Sequence, residues 1–237
     1  MSFAKYIILF SLLLSAFQLA AEDLFFSRVF RQDSNRRELL FYHYNEILID
    51  SERNILKHYY VLPDSTISVI DAVILENGEF RQAQSQFLEV EEVGTVIRNG
   101  ENMILRFQKG EKIKERKLAY PPDLLVGPLF NDHIRQNWRK LTAGEKIYFK
   151  LPAPDVQQVA TFTFQKAGNS GYEKSGRIVF KLDAASIFLK LLVKPSYFVY
   201  DLSSQRLLSI HGTTILRTKQ NGKWQNTTDV DMYYEYE

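Results

Sequence analysis

Cysteine is absent from the 237 residues. The chain therefore has no disulfide, no thiolate metal site and no cysteine nucleophile. It also lacks the cysteine that would carry the lipid of a bacterial lipoprotein. Charge of one sign is missing too, because 30 Lys and Arg stand against 28 Asp and Glu. No broad basic field exists to hold nucleic acid. The densest basic run, Lys112–Lys117 (KIKERK), is broken by Glu115 and reads as the solvated face of a strand. Histidine is scarce: His43, His58, His133 and His211 show neither His-x-His nor His-Glu-x-x-His spacing. No metal site is expected from them. Glycine-rich phosphate or dinucleotide loops are also missing, so no cofactor is expected.

One apolar run stands at the start. Lys5 precedes Tyr6 to Leu14, and a small-residue approach leads to Ala20-Ala21 and then Glu22-Asp23. This is the three-part pattern of a secretory signal. It falls short of the about 18 apolar residues that a bilayer span needs. The expectation is a cleaved signal over 1–21 and a single β-rich domain over 22–237, without a transmembrane span. Export combined with no cysteine points to a bacterial envelope compartment, periplasmic or secreted.

What is abundant is aromatic and β-branched, with 17 Phe and 13 Tyr. Such composition favours strands. Glu38–Asp50, Thr66–Leu75 and Phe80–Val90 read as strands, the last two joined by Asn77-Gly78. Val93–Arg98 and Met103–Gln108 flank Asn99-Gly100 in the same way. Tyr120-Pro121-Pro122-Asp123 interrupts the strands, since proline lacks the N–H donor. A helix is expected at about 128–141, where Phe130, Ile134, Trp138 and Leu141 form one apolar stripe. Pro128 suits its first turn and Gly144 follows its end. Strands resume at Lys146–Leu151, Gln157–Gln165 and Arg177–Leu182. A short second helix is expected at about 184–192, capped by Asp183, then more strands to the end. In the last of these Val230, Met232, Tyr234 and Tyr236 share one face, which reads as an edge or closing strand with one dry side. The fold expected is mainly β: one curved antiparallel sheet or half-barrel, with both helices packed on its concave face.

No catalytic motif emerges. Gly168-Asn169-Ser170-Gly171 lacks the Gly-x-Ser-x-Gly elbow and reads as a turn. Asp229 and Asp231 share a strand face and could lie at glycosidase spacing, as many solvated carboxylates do. A hydrolase using Ser170, Asp229 or Asp231 is therefore the least favoured reading, and the protein is expected not to be an enzyme.

Three segments together carry a family resemblance. Gly-Pro-Leu-Phe-x-x-x-Ile-x-x-x-Trp (Gly127 to Trp138) leads into Leu141-x-x-Gly144-Glu145-x-Ile147-x-Phe149. Leu191-Leu192-Val193-x-Pro195 and a tyrosine-rich final strand follow. This resembles domain-of-unknown-function proteins of the bacterial envelope. The resemblance implies a half-barrel around a helical plug, like that of outer-membrane lipoprotein carriers, and a compartment rather than a reaction. The functional expectation is a non-enzymatic exported protein holding an apolar ligand such as a lipid acyl chain, or a hydrophobic protein segment. Phe130, Ile134, Trp138, Phe149, Phe162 and Phe164 are the candidate lining residues. The alternative is a structural protein that docks an envelope partner.

Overall fold

The computed structural model describes residues 24–50, 52–191, 193–220, 222–226 and 229–236. The expected signal segment, 1–21, lies outside them. The first half is a meander of β1 (Phe25–Arg31), β2 (Leu39–Ile49), β3 (Arg53–Val61), β4 (Ile67–Glu76), β5 (Glu79–Phe87), β6 (Glu92–Asn99), β7 (Asn102–Lys109) and β8 (Lys112–Ala119). A 3-10 turn at Gly127–Leu129 leads into α1 (Phe130–Gln136) and α2 (Trp138–Thr142). Then come β9 (Ile147–Ala153), β10 (Gln158–Lys166), β11 (Arg177–Ala184), α3 (Ile187–Lys190), β12 (Ser196–Asp201) and β13 (Leu207–Thr213). The chain ends with β14 (Arg217–Gln220), β15 (Lys223–Asn226) and β16 (Asp229–Tyr236).

Fourteen strands form one antiparallel sheet in the order β8-β7-β6-β5-β4-β3-β2-β1-β16-β13-β12-β11-β10-β9. The expected mainly-β architecture is thus present as one large curved sheet that does not close into a barrel. β16 is not an edge. It pairs with β1 on one side and β13 on the other, and so sutures the two halves of the chain. Its alternation shows which face is dry, but periodicity carries no information about neighbours in the sheet. The Asn77-Gly78 turn forms as expected, with both residues at positive φ.

The inner face is apolar and is covered in three places. In the second half, α1 and α2 lie on Phe149, Phe164, Ile178, Phe180, Phe198 and Tyr200 through buried Ile134 and Leu141. The expected helix is therefore present but is broken at Asn137, whose side chain donates to the His133 carbonyl at 2.9 Å. In the first half, Leu124, Val126 and Leu129 of the linker pack on Leu56, Val73, Leu75 and Met103. Around the suture, Leu216 at the root of the β14–β15 hairpin is buried against Val29, Phe41, Val69 and Met232. Arg217 and Lys109 both pair with the buried carboxylate of Glu92, which ties that hairpin to β6. Burial pushes this carboxyl up, but its two cations outweigh burial and hold it below the ordinary range.

The ends of the sheet also meet. Residues 123–125 run parallel to β9, with the Lys150 N–H on the Asp123 carbonyl at 2.8 Å and the Leu125 N–H on the Lys150 carbonyl at 2.9 Å. Arg116 of β8 donates to the Gln157 carbonyl at the tip of the β9–β10 hairpin at 3.0 Å. The free edge, β8, is the KIKERK strand, and Lys112–Lys117 is solvated as expected. Its charges discourage edge-to-edge pairing with a second chain.

α3 departs from expectation. It spans four residues, and its Ile187 and Phe188 are exposed rather than packed on the concave face. Asp183 belongs to β11 instead of capping it. Lys190 pairs with Asp183, which alternates with the inner-face residues Phe180 and Leu182, so the turn lies toward the outer side of the sheet.

Two substitutions test this packing. Phe149→Ala is expected to cost about 3–5 kcal/mol in urea unfolding, the range for emptying a buried aromatic site. Gly212 adopts φ +138°, and a Cβ there would lie 2.8 Å from the Pro195 carbonyl oxygen. Gly212→Ala is expected to destabilise by about 1–3 kcal/mol in the same assay.

Candidate functional site

The six apolar residues singled out by sequence all meet in one cluster between α1–α2 and the second half of the sheet. Ile134, Phe149 and Phe164 are fully buried, while Phe130, Trp138 and Phe162 lie at the margin. Phe130 sets its ring at 6.0, 5.8 and 6.2 Å from those of Phe149, Phe164 and Phe198. Phe149 and Phe164 stack at 5.0 Å, and Trp138 stands edge-on to Phe180 at 5.3 Å. These aromatics fill the interior by packing on each other.

Open volume lies at the rim instead. A groove of about 620 Å³ is lined by Tyr148, Gln158, Val159, Ala160, Thr161, Ala185, Ser186, Phe188 and Leu189. One wall is the β9–β10 hairpin and the other is the turn carrying α3. The Ala185 N–H donates to the Thr161 carbonyl at 2.9 Å and fixes the turn to β10. Lys150 Nζ donates to Thr161 Oγ1 at 2.7 Å, which places a cation near the polar side of the groove. Aromatic and aliphatic walls with a few hydroxyls suit an apolar chain with a polar end. A smaller hollow of about 370 Å³ runs along the basic face of α1–α2, lined by Arg135, Gln136, Trp138, Arg139 and Lys140 among others.

Two titratable clusters were not legible in sequence. The first is a polar rung across the inner face. Register sets Asn45 opposite His58, His58 opposite Asp71, Asp71 opposite Ser85 and Ser85 opposite Gly94. His43 stands one rung away and links the row to β1, with Ser27 Oγ 3.0 Å from its Nδ1 and His58 Nδ1 3.3 Å from its Nε2. Tyr60 stacks on His43 at 4.3 Å. Burial, and then the neighbouring His58, push His43 well below the usual histidine range. Burial pushes Asp71 up, against a hydrogen bond from Ser85 and the proximity of His58. The signal was present as polar residues interrupting apolar alternation in β2 to β5, but their common rung depends on register.

The second cluster lies on the outer face. Ser209 Oγ is 2.8 Å from His211 Nε2, and His211 Nδ1 is 2.7 Å from Asp231 Oδ1. The order serine, histidine, aspartate is that of an activated nucleophile. Tyr172, however, lies flat on the imidazole at 4.0 Å, and Ser209 is only 5% exposed. Tyr172 covers the imidazole face, and the serine is itself buried. Of the residues weighed for a hydrolase, only Asp231 joins this chain. Asp229 pairs with Lys194 at 2.8 Å. Ser170 donates through both Oγ and N–H to Glu173 Oε1 at 2.7 Å, and these bonds hold the Glu173 carboxyl down at about 2. Among the described residues no group of His, Asp and Glu is arranged to hold a metal ion.

Comparison with protein-family models and with curated proteins finds no match to this chain.

Three outcomes are expected. His43 refuses a proton that the unfolded chain accepts below about pH 6.5. Stability should therefore fall as pH drops from about 7.5 to about 5.5, and His43→Gln should flatten that slope in urea titrations. Asp71 works in the opposite sense, its contribution being lost as pH rises through its raised value, so Asp71→Asn should gain most at the alkaline end. A fluorophosphonate probe should leave Ser209 unmodified by peptide mapping. Labelling of the folded protein at Ser209 would instead reveal an accessible nucleophile.

Proposed function

We propose that this protein is an exported, non-enzymatic component of the bacterial envelope that holds an apolar ligand, such as an acyl chain, against its β-sheet. The observation that carries this reading is the rim groove of about 620 Å³, within the size range of small-molecule sites. Tyr148, Val159, Ala160, Phe188 and Leu189 supply its apolar walls, while Thr161 and Ser186 supply hydroxyls. Such a division suits a molecule with one greasy and one polar end. The secretory pattern of the first residues supports the compartment, and the envelope-protein resemblance agrees with both.

The interior cluster has a different role in this reading. Phe130, Ile134, Trp138, Phe149, Phe162 and Phe164 hold the helix to the sheet and thereby set the rigid wall beside which the groove is formed. The ligand lies at the rim, where its entry does not require unpacking the core.

A dansyl-labelled fatty acid tests the proposal by fluorescence titration in buffer without lipid vesicles. Saturable binding is expected. Ala160→Trp, which fills the groove, should weaken it by about tenfold or more, while Leu202→Ser, a control outside the groove, should leave it unchanged. Equal binding by the Ala160→Trp variant would remove the groove from consideration. Co-purifying lipid in a native mass spectrum would identify the natural occupant. Recovery of a bound protein partner in its place would favour the docking alternative.

A further inference from the structure

We propose that the turn carrying α3 inserts into the surface of a phospholipid bilayer and seats the groove beside it. Ile187, Phe188 and Leu191 are 71%, 79% and 80% exposed. The other strongly exposed apolar residues, such as Ile49, Val156 and Ile215, are separated from one another along the chain. Here three stand within five positions, on one short turn. Leucine and phenylalanine side chains held in water at such exposure mark an interaction site.

The base of the turn is fixed while its tip is bare. The Ala185 N–H is bonded to the Thr161 carbonyl, the Lys190 N–H to the Ser186 carbonyl and the Val193 N–H to the Leu189 carbonyl, at 2.9, 3.0 and 2.9 Å. Leu189 and Phe188 reach into the groove wall, so the tip and the groove are parts of one structure. The apolar side chains are thus already displayed, and docking requires no refolding of the backbone.

Two features commit the surface to lipid rather than to protein. The first is size. A stable protein interface needs about 800 Å² on each partner. A four-residue helix with three apolar side chains is a point, not a face, and a point enters a fluid acyl layer more readily than it covers a rigid partner. The second is charge. Lys181 and Lys190 share one carboxylate, that of Asp183, at 2.9 and 3.5 Å, and Lys194 pairs with Asp229. The turn itself, from Ala185 to Pro195, carries two lysines and no carboxylate. Lys190 lies within the apolar tip and Lys194 just after it in sequence, and their long stems let the ammonium groups rise to anionic head groups as the tip sinks.

The inference deepens the apolar-ligand reading and rests on it for its purpose: a groove whose wall is the docking element takes or delivers an acyl chain at the membrane surface. Docking itself is measured separately. Purified protein is sedimented with vesicles of phosphatidylethanolamine and phosphatidylglycerol in equal parts, and with phosphatidylcholine vesicles. The double variant Ile187→Ser/Leu191→Ser leaves the groove lining intact. It should lose vesicle binding by about tenfold or more and retain dansyl fatty-acid binding in vesicle-free buffer. Lys190→Gln/Lys194→Gln should weaken binding by about fivefold on the anionic vesicles and not on phosphatidylcholine. Unchanged thermal unfolding of the Ile187→Ser/Leu191→Ser variant confirms that the fold is kept. Wild-type protein that binds fatty acid but ignores vesicles would overturn docking and leave the ligand reading standing. Vesicle binding without fatty-acid binding would support docking and remove the ligand reading. Equal vesicle binding by wild type and double variant, or a dimer of wild type that the double variant abolishes, would also overturn docking.

Discussion

A wide antiparallel sheet with one apolar face is stable in water only when that face is hidden, and most of this molecule is arranged around that requirement. The sheet is fourteen strands wide and curls without closing. Its inner face exceeds what two short helices can cover. The chain meets the need by dividing the work. The helices cover the aromatic second half, the linker after β8 covers the far end of the first half, and the root of the β14–β15 hairpin covers the suture. Each cover is fastened by polar contacts at its rim, such as Glu92 with Arg217 and Lys109 or Asn131 with Tyr200. Apolar burial supplies the driving force and these contacts set position.

The same requirement explains where function has room. A packed interior of Phe149, Phe164, Phe180 and Phe198 leaves the ligand-sized groove at the periphery. There the β9–β10 hairpin rises beside the turn carrying α3. The apolar side chains of that turn remain in water because it lies toward the outer side of the sheet, away from the apolar inner face. The proposed docking rests on this surplus of exposed apolar surface.

The polar rung through His43, His58 and Asp71 runs against the apolar rule and is the least stable-looking part of the core in electrostatic terms. Burial keeps His43 neutral and raises Asp71, so the two groups pull stability in opposite directions with pH. Stacking of Tyr60 on His43 and the hydrogen bond to Ser27 offset part of the burial cost. On the outer face Ser209, His211 and Asp231 form a chain of similar chemistry under the lid of Tyr172. Both clusters arise because every rung of an antiparallel sheet brings residues distant in sequence to a common row.

Local physics was fully readable from the chain itself. The alternation in Met103–Gln108 and Val230–Tyr236, the Asn77-Gly78 turn, the proline break after β8 and the apolar stripe from Phe130 to Leu141 each depend on residues within a few positions. Together they determined a mainly-β protein with one principal helix. The convergence of Phe130, Trp138, Phe149 and Phe164 followed from amphipathicity alone. What needed the tertiary structure was everything set by placement or register. Whether 187–191 is buried depended on which side of the sheet the turn takes, and its Lys190 is tied to Asp183 on the outer side. That β16 is a central suture depended on which strands it could reach. That Ser209 and His211 meet Asp231, and that His58 meets Asp71, depended on the pairing of strands, which a period of two residues leaves undetermined.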